Sequence, residues 1–422
     1  MAFKIAIVHD WLTGFRGGEK CLEVLCRAFP EASLHTLLRV RDTASPAIER
    51  MDIHTSFLQC FPGIRHYYRW CLPLMPAAVS RLRIPEDVDV VVSFSHAVAK
   101  SVHVPPGVPH ICYCFTPMRY AWHRREDYFG KGRLRGMLPW NAARAAVLRG
   151  MRRWDRETSQ GVTHFIAASK TVATRIVEAY YRSSRVIYPP VDTDFYTPDA
   201  GVKRDDFYLY VGALAPYKRV DLAVTACEQL GRRFVVIGSG PEARRLKRMA
   251  GRYTQFLGHR CDEEIRHYMR SAAALLFPAN EDFGIVPVEA QACGTPVIAF
   301  GEGGATETVV SADAANYPSG LFFEEQTPQS LFRAIRRFER MPGRFDPHVL
   351  RTLAERFSRP RFERELLRTI KGVVCEKLEC SPVAYPKGEP VAVRRDSRRA
   401  SPTPEWSMKT PPVLSASELR VR

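Results

Sequence analysis

The chain has no apolar run approaching the ~20 residues that span a bilayer, so it is expected to be soluble or to lie on a membrane surface. No C-x-x-C pair occurs among its eleven cysteines in 422 residues, so neither a zinc ribbon nor a small disulfide scaffold accounts for them. Cys112 and Cys114 alternate around Tyr113 as on one strand, which suits packing better than a metal clamp. Reduced thiols in a cytoplasmic protein are the expectation. A signal peptide is not expected either. Lys4-Ile5-Ala6-Ile7-Val8 is too short for an h-region and ends at His9-Asp10, which is the pattern of a buried parallel strand. No short-period repeat is present.

What is present is enough chain for two domains. Strand–helix alternation marks two parallel sheets. The first draws on Lys4–Val8, Val88–Phe94, His110–Phe115 and Thr163–Ala167. The second draws on Phe207–Val211, Phe234–Ile237, Thr254–Leu257, Ala274–Phe277 and Thr295–Phe300. Helices are read over Asp221–Gly231, Pro241–Gly251 and Asp262–Ser271. Prolines between Pro189 and Pro198 mark the joint. The expected organisation is therefore α/β, with two Rossmann-like domains at 1–190 and 200–358 facing a cleft. A helix at 359–374 could cross back to the first domain, and a disordered tail follows at 375–422. Seven prolines, paired arginines and many Ser/Thr residues give that tail too little to bury.

The excess of 62 Lys+Arg over 45 Asp+Glu, a net +17, implies an anionic partner. No nucleic-acid recognition module is visible. Two basic, aromatic stretches stand out in the first half. One is Arg65-His66-Tyr67-Tyr68-Arg69-Trp70, continuing to Met75. The other is Lys131–Arg156, with eight Lys/Arg against one acid and with Trp140 and Trp154. Both suit an anionic membrane surface, and both equally suit surface helices with a core face.

Four segments are candidates for chemistry. The loop Asp10–Lys20, with Gly17-Gly18, joins a strand to a helix and lets backbone amides approach a phosphate. Gly238-Ser239-Gly240-Pro241-Glu242-Ala243 matches G-x-G-x-x-A, but Pro241 opens the helix where a dinucleotide fold needs amide donors. Asp192-Thr193-Asp194 is a D-x-D in a linker, where capping a turn explains it as well as a metal does. The fourth, Asn280-Glu281-Asp282-Phe283-Gly284-Ile285 through Glu289, reads as loop and then apolar helix. On one helix, Glu281 and Glu289 would return nearly to the same face. A charged glutamate on a buried helix needs donors, and ribose hydroxyls would supply them.

This last segment resembles the Glu–seven residues–Glu signature of the retaining glycosyltransferases of family 4, which have the GT-B fold. Other blocks are similar in the same order: Tyr210–Arg219, Ile237–Pro241, Phe256–Gly258 and Gly303–Glu307. Ser95–Lys100 and Tyr113–Tyr120 look like a bacterial subgroup tied to surface polysaccharide. The resemblance implies a nucleotide-diphosphate sugar as donor, a lipid-linked or polysaccharide acceptor at the inner membrane face, and neither a cofactor nor a metal. It also implies roles. Lys218 would meet the donor pyrophosphate, together with Gly17, Gly18 and Arg219. Glu289 would hold the ribose, and Gly258 would lie near the base. Glu281 would grip the sugar with the amides of Phe283, Gly284 and Ile285. Two positions depart from the pattern: Ala213 stands where the family has Arg, and Phe115 where the subgroup has His. Either His96 or Arg119 fills the missing role, the sugar differs, or the chain is a weakened relative acting as a binding or assembly module.

Overall fold

The structure, a computed structural model, describes residues 3–122, 138–313 and 316–380. Its first sheet holds β1 (Ile5–His9), β2 (Ser33–Thr36), β3 (Asp52–Thr55), β4 (Val90–Ser95), β5 (His110–Cys114), β6 (His164–Ala167) and β7 (Arg185–Val186). All seven are parallel, in the order β3-β2-β1-β4-β5-β6-β7. The second sheet holds β8 (Tyr208–Val211), β9 (Phe234–Ile237), β10 (Thr254–Gly258), β11 (Ala274–Phe277), β12 (Val297–Phe300) and β13 (Gly320–Phe323). These are parallel too, in the order β10-β9-β8-β11-β12-β13.

The central strands are apolar runs because helices cover both faces of a parallel sheet. β1, β4, β5, β9, β11 and β12 are buried along their whole length. Four strands, β2, β3, β7 and β13, lie outside those read from the sequence, and the same logic explains two of them. β2 and β3 carry Ser33, His35, Asp52, His54 and two threonines, and β3 is an exposed edge. Their polarity hides them from an apolar-run criterion.

The helix Arg359–Cys380 leaves the second half and packs on the first. Phe362, Leu366, Ile370 and Val373 enter the same core as Ile7, Leu22 and Ile111, and the Phe362 ring meets Tyr113 edge-on at 5.6 Å. The helix runs to Cys380, past residue 375, where sequence composition placed the start of a disordered tail. The rest of that tail, 381–422, lies outside the described residues.

The first basic aromatic stretch divides, with Tyr68, Cys71, Leu72 and Met75 buried while Trp70 is 77% exposed. In the second, residues 131–137 and the side chain of Trp140 lie outside the described residues; the helix Leu138–Ser159 begins after them. Among the described residues, no helix is long and apolar enough to cross a membrane.

Candidate active site

Both sheets reverse strand order once, between β1 and β4 and between β8 and β11. At such switch points the loops diverge, leaving a crevice outside the carboxyl ends of the strands. Four of the sequence-derived candidates fall at these two places. The first crevice carries the Asp10–Lys20 segment and His96. The second carries Lys218 and Glu281.

In the second domain, β8 runs into a turn of 3-10 helix at Pro216–Lys218, and β11 runs into the loop bearing Glu281. Lys218 Nζ pairs directly with Glu281. Arg219, in a left-handed conformation, instead directs Nε to Asp221 at 3.3 Å. Gly258 ends β10, where its carbonyl accepts from Gly238 N at 2.7 Å, and the space beside its Cα is open. The G-x-G-x-x-A turn is bound back to the β8 loop: Leu214 N donates to Ser239 O at 2.8 Å, and Glu242 N to Leu214 O at 3.0 Å. Asp192 caps a turn, accepting from Phe195 N at 3.0 Å.

The helix expected to carry both glutamates starts later than the spacing suggests. It spans Ile285–Ala292, with Gly284 as its N-cap at φ 85°. That left-handed conformation is costly for any residue with a Cβ, and it turns the chain between the two carboxylates. Glu281 therefore sits in the loop after β11 and only Glu289 is on the helix, so their relation is not that of one helical face. Phe283 is a packing residue, stacked on Tyr188 at 5.7 Å. Gly304 lets the next turn close on this loop: a Cβ there would lie 2.2 Å from Phe283 Cα.

Glu289 is buried, and the charged donor it meets within the protein is Lys20 of the first domain, at 2.9 Å. The Glu289 carboxylate raises the Lys20 ammonium above its ordinary value. Lys20 follows Gly17 and Gly18 in the helix Gly17–Ala28. A Cβ on Gly17 would reach Ile285 Cδ1 at 2.6 Å, so this helix start abuts the start of the other. Asp282 adds a second bridge, receiving Arg119 at 2.9 Å and also Arg175. Arg119 thus faces a carboxylate of the partner domain. Ser169 Oγ donates to the Asp282 carbonyl. Glu307 closes a third, accepting from Lys170 N at 2.7 Å and Thr171 N at 2.9 Å, at the N-terminus of the helix Lys170–Tyr180.

On the first-domain wall, Asp10 is fully buried and accepts from four amides, those of His96, Ala97, Val98 and Ala99. Its carboxylate also lies 3.0 Å from His96 Nδ1. Burial alone would raise the Asp10 carboxyl, but the His96 ring and these amides hold it well below the usual carboxylate range. His9 is buried beside it. Neither of its ring nitrogens has a hydrogen-bond partner among the described residues, and Nε2 lies 3.7 Å from Glu19 Oε1. Glu19 is likewise held low: burial opposes this, and His9 outweighs it. The Phe115 ring packs between Tyr113 at 5.3 Å and His96 at 6.3 Å. It would lie 3.5 Å from a Cβ on Gly18.

Two facing Rossmann-like domains with this strand order decide the architecture. The fold is GT-B. It is shared with an Anabaena protein, HepE, solved with UDP and glucose, at a TM-score of 0.65 and 18% identity over 88% of this chain and 100% of that one. Sucrose-phosphate synthase of Thermosynechococcus elongatus shares the GT-B fold too, at a TM-score of 0.64 and 17% identity over 88% and 100%. Residues 194–356, the second GT-B domain, match the family glycosyl transferases group 1. An uncharacterized glycosyltransferase of Methanocaldococcus jannaschii is 30% identical over 175 residues, 40% of this chain and 48% of that one. A D-inositol 3-phosphate glycosyltransferase of Frankia alni is 28% identical over 220 residues, 44% and 53% of the two chains. The match thus spans about half the length of these two curated relatives.

Six residues to which pattern reasoning gave no role of their own complete the site: His9, Asp10, Glu19, Lys20, Arg175 and Asp282, four of which (Asp10, Glu19, Lys20 and Asp282) lie within segments it did single out. Lys20 carried a weak signal. A lysine in the first turn of a helix runs against the field there, which favours acids, so a partner from elsewhere is implied. For His9 nothing in the sequence separates a cleft residue from a packed one.

Proposed function

We propose that the protein transfers a glycosyl group from a nucleotide-diphosphate sugar to an acceptor hydroxyl, with the donor held in the second domain. The observation that carries this reading is the Lys218–Glu281 pair at the β8/β11 switch point, in the same domain as Glu289, which Lys20 meets from the other side of the cleft. The likeness to group 1 glycosyl transferases falls on that domain, and curated glycosyltransferases match 40% and 44% of the chain.

A departing nucleoside diphosphate gains charge as the bond to the sugar breaks. Lys218, with amides at the start of the helix Ile285–Ala292, would meet that charge, and pre-oriented groups of this kind lower a barrier without reorganising. Glu289 takes the ribose hydroxyls once Lys20 turns toward the diphosphate. In this reading the acceptor attacks on the face the leaving group vacates, its proton passes to the departing phosphate oxygen, and the anomeric configuration is retained. The sugar is a hexose and the acceptor a lipid-linked or polysaccharide chain at the inner membrane face.

The test is sugar transfer from a panel of nucleotide sugars by the wild type, Glu281→Ala and Lys218→Ala. Loss of transfer in both variants is expected; transfer at the wild-type rate in both would remove the assignment. Phe115 beside Gly18 and the exposed Ala213 favour a second reading, a binding module of the same fold. Tight nucleoside diphosphate binding with no turnover of any donor would select it.

A further inference from the structure

Arg149, Arg152, Arg153 and Arg156 recur at i, i+3, i+4 and i+7 of the helix Leu138–Ser159, and so share one face. Together with Trp122 and Glu157 they line a pocket of about 440 Å³. The pocket is not part of the cleft. Arg156 reaches the C-terminal end of the helix Lys170–Tyr180, whereas that helix touches the second domain through Glu307 at its first residues and through the Arg175 side chain near its middle. At ~1.5 Å per residue, Ala179 stands roughly 13 Å along the axis from the first of these contacts and about 6 Å from the second.

Like charges crowded on one helix face repel, so their arrangement needs support. Arg152 Nε donates to Ala121 O at 2.8 Å and Arg156 Nε to Ala179 O at 2.9 Å. Both bonds use the inner edge of the guanidinium and leave its terminal amino groups for another acceptor. The two guanidiniums lie 5.8 and 5.2 Å from the Trp122 ring. That ring is itself fixed, its Nε1 donating to Asp155 Oδ2 at 2.8 Å. Asp155 is fully buried, where it also binds Tyr180 OH at 2.8 Å and Lys100 Nζ. Arg153 is neutralised by Glu157 at 2.7 Å. Among the described residues, Arg149, Arg152 and Arg156 have no carboxylate partner.

We propose that this pocket is a second anion site, separate from the donor cleft, that takes a phosphomonoester or diphosphate group. Convergent guanidinium forks on a braced aromatic wall match the tetrahedral, multiply charged oxygens of phosphate better than a single carboxylate. The phosphate can belong to a soluble compound or to a lipid headgroup; the chemistry of recognition is the same.

The test labels arginines of the full chain with phenylglyoxal and reads each site by mass spectrometry. Inorganic pyrophosphate is one arm; vesicles of phosphatidylcholine, with or without phosphatidic acid, are the other. Protection of Arg149, Arg152 and Arg156 by pyrophosphate upholds the site with a soluble source, and protection only on the phosphatidic acid vesicles upholds it with a lipid source. Arg149→Gln, at an exposed position outside the backbone ties, is expected to weaken protection of the other two by about tenfold. Arg153→Gln is expected to change it little. No protection in either arm overturns the proposal. So does equal loss in both variants, which would mark a diffuse basic surface.

Discussion

Lys20 and Glu289 lie 269 positions apart in sequence and 2.9 Å apart in space, one from each domain. Glu289 sits on an apolar helix with 6% of its side chain exposed, and Lys20 is its charged donor. Removing one member of such a pair strands the other, at a cost of about 3–5 kcal/mol. Lys20→Met and Glu289→Gln should each destabilise the protein, and the double variant should lose less than their sum. Urea unfolding of all four forms gives the coupling, expected at about 1–3 kcal/mol. Additivity would mean that the contact does not couple the domains.

Lys218 and Glu281 share a domain, and under the proposed function their pair meets the donor. Lys218→Ala should lower kcat by about 10²–10³, the usual effect of losing one group that meets developing charge. Glu281→Gln should lower it comparably. Because the two groups touch, the double variant should fall far short of the product of the single losses. Independent losses in steady-state kinetics would show that they act at separate steps.

The strands that bear this site were legible because both faces of each are buried, so β1, β4, β5, β8, β9, β11 and β12 read as short apolar runs. β2 and β3 were not, since their polar residues resemble loop. Glu281 and Glu289 were found as residues but misplaced as a pair. Their spacing assumes one helix, and the left-handed Gly284 breaks that assumption. Contacts across the cleft, Lys20 to Glu289 and Arg119 to Asp282, follow from how two sheets face each other, which no local pattern encodes. The arginine spacing at 149, 152, 153 and 156 was in plain view within a basic stretch. What it lacked was Trp122 and the buried Asp155, which turn a charged helix face into a pocket.

Glu307 supplies the most regular of the cross-domain contacts. Its carboxylate accepts two amides of the helix Lys170–Tyr180 and the Thr171 hydroxyl at 2.9 Å. Negative charge is favoured at this end of a helix. Glu307→Ala leaves those donors without their acceptor and should cost about 1–3 kcal/mol. It should also loosen the cleft, seen as a larger radius of gyration by small-angle scattering of the ligand-free protein. An unchanged radius with lowered stability would confine Glu307 to helix capping.

Gly304 is expected to tolerate no side chain. Its neighbour is the backbone of Phe283, and a Cβ would sit 2.2 Å from Cα and 2.5 Å from the carbonyl oxygen, contacts that no rotamer relieves. The loop bearing Glu281 would have to move, since Gly304 N donates to Glu281 O at 2.7 Å. Gly304→Ala should therefore weaken nucleoside diphosphate binding by about tenfold or more, through a shift rather than a lost contact. Calorimetric titration with a panel of nucleoside diphosphates provides the check, and unchanged affinity for whichever one the wild type binds would show that the loop can yield.

Asp10 makes the sharpest pH prediction. Its folded carboxyl is held below the usual range by His96 and four amides, whereas in the unfolded chain it titrates near ~3.9. At acid pH the unfolded state then binds more protons, so stability rises with pH there. The contribution is complete above about pH 5 and is lost as pH falls toward the folded value. Asn offers one acceptor oxygen where Asp10 offers two, and it brings amide hydrogens toward backbone donors. Asp10→Asn should accordingly cost about 2–4 kcal/mol at neutral pH, and the gap to the wild type should narrow as pH drops below about 5. Unfolding both proteins in urea across that interval isolates Asp10 from the other carboxylates, which titrate alike in the two. A gap that stays constant with pH would mean that the Asp10 charge contributes nothing beyond its shape.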